Sequence, residues 1–323
     1  MNHSQPSDAP PSESFPPPSR PQTHSVWRVI SGLIWTARPH QWVKNAVVLA
    51  PVVFAKEIFD PMLLVRAVSG FGIFCLLAGA VYTMNDLADA EADRLHPRKR
   101  HRPIAAGVVP PSVAKVFAVL LVVFGLTSAA LLSIPFLITV AIYFAMNIAY
   151  SFKLKQVPYL DVGIIAAGFV LRVIAGGFGT EIYVSRYLLV CTAMGALFMG
   201  FGKRRHELSG LSVGKKSGKQ RKVLESYNVR GLELSLVLTA LATVGVYLAY
   251  TLDSHTRELF RSDELWISVI PVVLGILRFT HLVRSRPHAE SPTQEMLKDG
   301  PFVAIVLSWL VMVMWIVYKL KPS

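Results

Sequence analysis

Nine apolar stretches, most of them about as long as a bilayer is thick, recur along this 323-residue chain and dominate what it can fold into. They fall at about 40–57, 62–85, 112–132, 135–150, 160–178, 184–202, 232–252, 264–283 and 301–318. Crossing hydrocarbon takes roughly 20 apolar residues of helix, and only structures that satisfy their own backbone hydrogen bonds survive there. The spacing therefore predicts an all-α integral membrane protein, a bundle of nine transmembrane helices. Charged residues make up only 16% of the chain, well below the roughly 25% of a soluble domain, so too little polar surface exists to cover a soluble globule.

Residues 1–24, rich in Pro and Ser, cannot bury a core and are expected to be a disordered cytoplasmic tail. They lack the apolar run of a cleavable leader. The segment 24–37, HSVWRVISGLIWTA, reads as an amphipathic helix lying in the interface, and 25–321 as one transmembrane domain.

The net charge of +13 would suggest nucleic acid in a soluble protein. Here Lys and Arg gather in alternate loops. With the N-terminus inside, the cytoplasmic loops hold twenty of them and the opposite loops and tail six. This asymmetry places the N-terminus in the cytoplasm of a cell membrane and explains the charge without a nucleic-acid partner. The two cysteines, Cys75 and Cys191, lie in apolar runs and read as small core residues. No internal repeat marks the inverted halves of a transporter.

The second stretch ends in Asn85-Asp86-Leu-Ala-Asp89-Ala-Glu-Ala-Asp93. On a continuous helix Asp86, Asp89 and Asp93 share one face, joined by Asn85, and three stacked carboxylates repel unless a cation lies between them. Hard oxygen donors suit Mg2+, which keeps room for phosphate oxygens. A dense basic run from Arg94 to Arg102 follows at once, so the pairing points to a polyanion, a diphosphate bridged by Mg2+. Further polar residues recur at the same membrane face: Arg38, Lys44 and Asn45, then Tyr150 and Lys153, then Asp161, then Lys203, Arg204 and Glu207. Arg172, mid-span, is costly in lipid and either partners a buried carboxylate such as Asp161 or meets a ligand.

The N-D-x-x-D-x-x-x-D motif after the second span resembles the UbiA superfamily of intramembrane prenyltransferases. That likeness extends over about residues 36–318 and implies a nine-helix bundle. Family members carry a second Asp-rich motif after the sixth span. Here no Asp occurs between Asp161 and Asp253, and the matching position reads Lys203-Arg204-Arg205-His206-Glu207.

Together with the openings R-P-x-Q-W-x-K-N (Arg38 to Asn45) and R-P-I-A-A-G-V (from Arg102), this resembles the branch that passes 5-phosphoribose to a polyprenyl, decaprenyl-type monophosphate. The resemblance implies phosphoribosyl diphosphate as donor, a polyprenyl phosphate lipid as acceptor, and a role in building cell-envelope arabinan. It implies Mg2+ on Asp86, Asp89 and Asp93, with Lys44, Asn45, Asn85, Arg102, Lys203, Arg204 and Glu207 binding substrate. Tyr150 and Lys153 would contact the donor or the acceptor phosphate, a choice the residues leave open. The competing reading within the same fold is prenyl transfer to an aromatic or quinone-precursor acceptor.

Overall fold

The computed structural model describes residues 25–211, 224, 226–285, 296 and 298–318, so the expectation for the tail 1–24 falls outside the described residues. Among the described residues the regular structure is all helical, with twelve α-helices and several 3-10 segments. These are α1 (Val26–Ala37), α2 (Ala50–Phe54), α3 (Pro61–Ala88), α4 (Ala90–Arg94), α5 (Pro111–Leu132) and α6 (Ile134–Phe152). After them come α7 (Leu160–Thr180), α8 (Arg186–Leu211), α9 (Val229–Leu252), α10 (Ser254–Phe260), α11 (Val269–Ser285) and α12 (Gly300–Tyr318).

Among the described residues seven helices are long and apolar enough to cross a membrane: α3, α5, α6, α7, α9, α11 with its 3-10 lead-in from Glu264, and α12. The chain is a multi-pass membrane protein. Two of the nine expected spans differ. Residues 40–57 form a 3-10 helix, Pro39–Leu49, that runs into the five-residue α2. Pro51 has no N–H to give the carbonyl four residues back, so a continuous α-helix is interrupted there. The sixth expected span is α8, whose apolar part, residues 187–202, is bounded by Arg186 and Lys203 and is short for a full crossing.

Local signals explain where the helices begin. Pro61 opens α3 while the Asp60 carboxylate caps it, accepting from Met62 N at 2.8 Å and Leu63 N at 3.0 Å. Ser133 and Pro135 turn α5 directly into α6. Asn228 caps α9 through Arg230 N.

Burial separates the layers. The apolar windows of α3 and α7 are 56% and 50% buried, while those of α5, α9 and α12 are each 17% buried, so the first pair is central and the others face lipid. Around α3 and α7, Val48, Phe74, Leu77, Phe136, Val140 and Tyr143 form one core. A second core joins α7, α8, α9 and α11 through Val162, Phe198, Leu232 and Phe279. Gly176 on α7 is required by close approach, because a Cβ there would lie 2.1 Å from the Val48 carbonyl oxygen.

Alternating helices bring one set of ends together: the C-termini of α3, α6 and α8 and the N-termini of α5, α7 and α9. Most of the candidate polar residues lie toward this end of the bundle, while Arg172, in the middle of α7, and the Asn45 it bonds lie deeper inside. At the opposite end Arg66 pairs with Glu181 at 2.7 Å and Lys56 reaches the Phe260 carbonyl at 3.3 Å.

Candidate active site

The acidic motif does not lie on one unbroken helix. Helix α3 stops at Ala88, Asp89 sits at the junction with φ −94° and ψ 0°, and α4 restarts at Ala90. Acidic side chains oppose the negative carboxyl end of a helix, which favours a break there. Asp89 N still bonds the Asn85 carbonyl at 2.9 Å and Asp93 N the Asp89 carbonyl at 2.8 Å, so Asp93 and Asp86 stay on one side of the chain. Both are buried, and both take a hydrogen bond from the same nitrogen: Arg102 Nη1 lies 3.0 Å from Asp86 Oδ1 and 2.6 Å from Asp93 Oδ2. Asp86 Oδ1 also accepts from Arg38 Nη2 at 2.6 Å, and Lys99 Nζ approaches Asp93 at 3.8 Å. Asp89 is half-buried and Asn85 lies one residue before Asp86.

Arg38 was visible in the sequence only as one of several polar residues near the interface. Its φ of 53° ends α1 in the left-handed region and turns the chain toward α3. There its guanidinium stacks on Tyr82, 4.9 Å from the ring centre, while holding Asp86.

The second assembly lies where the family pattern would place its other acidic motif. Arg204 Nε meets Asp161 Oδ2 at 2.5 Å, and Arg204 also pairs with Glu207 one turn along α8. Arg204 Nη2 donates to the Tyr150 hydroxyl at 3.5 Å. Tyr227, in the turn before α9, donates to Asp161 and accepts from Tyr159 N at 2.8 Å. Burial and the bond to the Asp161 carboxylate push the Tyr227 phenol well above its ordinary pKa. Asp161, Arg204 and Glu207 are all buried, so Arg204 carries its own counter-charges. Tyr227 carried no motif that would have singled it out.

Arg172 takes neither a carboxylate nor solvent. Its Nε donates to Asn45 Oδ1 at 2.9 Å, Nη1 to the Gly168 carbonyl at 2.9 Å and Nη2 to the Tyr143 hydroxyl at 2.7 Å. Rings of Tyr143, Phe169 and Phe74 surround it. Asn45 is therefore tied to the bundle interior, its amide nitrogen on Cys75 Sγ at 3.4 Å. Lys44, next in the chain, donates to Gln41 at 2.6 Å and stands in the field of Lys203, Arg172 and Arg38. Among the described residues, no carboxylate lies within ion-pair distance of Lys44, Lys203 or Arg172. Lys153 is exposed just past α6.

Among the described residues no three acidic, His or Cys side chains form a ready cluster for a metal. The donor chemistry nonetheless fits a divalent cation. Two hard carboxylate oxygens from Asp86 and Asp93 already converge on one positive nitrogen, the position a cation would take.

Above Asp86 opens a cleft of about 890 Å3, lined on one side by α1 and on the other by the loop from Arg98 to Val108. A second, apolar cavity of about 580 Å3 lies toward the opposite end, lined by Phe54, Cys191, Tyr247 and Trp309.

A multi-pass helical bundle with a basic cleft above the buried Asp86 at one end is an integral membrane protein. The chain belongs to the UbiA prenyltransferase family, which it matches over residues 46–298. The decaprenyl-phosphate phosphoribosyltransferase of Mycolicibacterium smegmatis is 39% identical over 87% of this chain and 91% of its own length. The enzyme of that name from Corynebacterium glutamicum is 35% identical over 89% and 87% respectively. Among solved structures, a UbiA homolog from Archaeoglobus fulgidus bound to GPP and Mg2+ has the same fold, with a TM-score of 0.63 at 20% identity over 89% of this chain and 99% of that one.

Proposed function

We propose that this chain is an intramembrane phosphoribosyltransferase that moves 5-phosphoribose from phosphoribosyl diphosphate to a polyprenyl monophosphate of decaprenyl type, releasing diphosphate. The observation that carries the reading is the likeness, over most of both lengths, to the two enzymes of that name. The charge of the site agrees with it. A donor bearing a 5-phosphate as well as a diphosphate needs more cations, and fewer metal carboxylates, than a prenyl diphosphate.

Asp86 and Asp93, with Asp89 beside them, would hold Mg2+, which when bound neutralises the diphosphate and eases its departure. The protein's own groups do the rest. Arg38 and Arg102, now on Asp86, are placed to turn to phosphate oxygens once the aspartates have another partner. Lys44 and Lys203 add charge that no carboxylate among the described residues meets within ion-pair distance. Arg204, balanced by Asp161 and Glu207, fixes Tyr150 and the start of α7 rather than holding phosphate itself.

An acceptor phosphate oxygen attacks the anomeric carbon as its bond to the diphosphate breaks. The acceptor is ionised near neutral pH, so no protein nucleophile is required, and catalysis rests on positioning and electrostatics. The isoprenoid tail passes sideways into lipid.

In the bilayer, the Pro39–Phe54 segment and α8 supply the two remaining crossings, giving nine, with the N-terminus in the cytoplasm and the site at the cytoplasmic face of the cell membrane. The excess of Lys and Arg in the loops on that side supports this orientation.

Purified protein in detergent, given Mg2+, labelled phosphoribosyl diphosphate and polyprenyl phosphate, should yield labelled lipid. Label entering lipid only from a prenyl diphosphate, onto an aromatic acceptor, would replace this reading with prenyl transfer.

A further inference from the structure

The cleft above Asp86 is unevenly charged. Among the described residues its lining holds six basic side chains, Arg28, Arg38, His40, Arg98, His101 and Arg102, and one carboxylate, Asp86. Arg38 and Arg102 face the floor, where they hold Asp86. Arg28, His40, Arg98 and His101 are exposed and form the rim. The rim's outer wall is α1, and Gly32 lets it lie flat on the loop, since a Cβ there would come within 2.6 Å of Val109 Cγ2. Helix α1 runs directly into Arg38 and His40, so wall and floor are joined through one stretch of chain.

Floor and rim suit different anions. Asp86 and Asp93 repel a bare phosphate and serve one only through a bound cation. Arginine forks grip a phosphate monoester directly, through paired charge-assisted hydrogen bonds. A donor with a diphosphate at one end and a monoester at the other would span the two.

We infer that Arg28, Arg98 and His101 form a metal-independent site for the terminal phosphate monoester of the donor, so that the rim selects a phosphorylated sugar over its unphosphorylated counterpart. The inference rests on the phosphoribosyl-transfer reading and adds to it the residues that read the 5-phosphate.

The test uses the full chain in detergent, with ribose 5-phosphate as the probe in titration calorimetry and EDTA present throughout. Unaltered protein should bind ribose 5-phosphate but not ribose. The double variant Arg28→Gln/Arg98→Gln should weaken that binding at least tenfold. In the transfer assay the same variant should raise KM for phosphoribosyl diphosphate at least tenfold, with kcat within about twofold of normal. Both side chains are exposed, so the bundle should fold as before.

Active, unaltered protein that fails to bind ribose 5-phosphate without metal would overturn the inference and leave the transfer reading standing. An unchanged KM in the variant would do the same. A variant that keeps its ribose 5-phosphate affinity would overturn it as well. Absence of phosphoribose transfer by the unaltered protein would overturn the reading beneath, and it is scored before any variant is compared.

Discussion

Two ion-pair assemblies share one end of this bundle, and they are built to opposite ends. At the junction of α3 and α4 the acids are buried, Asp86 and Asp93 each with 3% of the side chain exposed, while their cations are not: Arg38 is 26% exposed and Arg102 28%. Between α7 and α8 everything is buried, with Arg204 at 9%, Asp161 at 0% and Glu207 at 9%. Partly solvated arginines leave a carboxylate at little cost when a better cation arrives, because water takes up their charge. A guanidinium sealed between two carboxylates has no such exit. The first assembly is exchangeable and suited to ligand. The second is fixed and holds Tyr150, Tyr227 and two helices in register.

The largest effect should come from breaking the fixed assembly. Asp161→Ala removes one of Arg204's two counter-charges and the acceptor of the Tyr227 hydroxyl. Stripping one partner from a buried pair typically costs about 3–5 kcal/mol. Unfolding of the variant in detergent should show a loss of that size. Replacing all three charged partners with apolar residues, Asp161→Leu, Arg204→Met and Glu207→Met, should recover most of it, since no member of the assembly then keeps a charge without its partner. An Asp161→Ala protein as stable as its parent would show that the pair is not sealed.

The exchangeable assembly should respond the other way round. Asp86→Asn keeps the shape, and the two arginines it releases are already partly in water, so stability should change by no more than about 1 kcal/mol. Turnover should fall by about 100-fold or more, equivalent to at least ~2.7 kcal/mol of transition-state stabilisation. Full activity in the Asp86→Asn protein would remove the aspartate from the chemistry and erase the contrast between the two sites.

Seven of the spans were legible because apolar length is a local property of the sequence, and Pro61, Asn228 and the Ser133–Pro135 turn mark where helices start. The form of the first expected span was not legible, because hydropathy counts Pro51 as one more residue and ignores its missing N–H. The identity of the charge partners was less accessible still. Asp161 and Arg172 look like natural partners in sequence, yet they lie eleven residues apart on one helix, about 16 Å along its axis at 1.5 Å per residue. The carboxylate instead reaches a neighbouring helix, to Arg204, and the arginine settles on Asn45 and Tyr143. Such choices depend on which helices are adjacent, and period and composition do not carry that information. The one-residue irregularity at Asp89 likewise left no mark in the motif.

The smallest predicted effect isolates burial from charge, because it uses the residue next to Arg204. Arg205 on α8 pairs with Glu233 on α9 at 3.1 Å, but these side chains are 23% and 41% exposed. The bond type is the same as in the fixed assembly and the arginine comes from the same helix, but this pair has more access to water. Glu233→Gln should therefore cost at most about 1 kcal/mol in the same unfolding measurement. Raising the salt should shrink even that difference, because exposed pairs are screened over about 10 Å at 0.1 M ionic strength. The cost of Asp161→Ala should hold nearly constant across the same salt range. A Glu233→Gln penalty as large as that of Asp161→Ala, and as indifferent to salt, would mean that helix-to-helix pairing as such, rather than seclusion from water, makes the second assembly rigid.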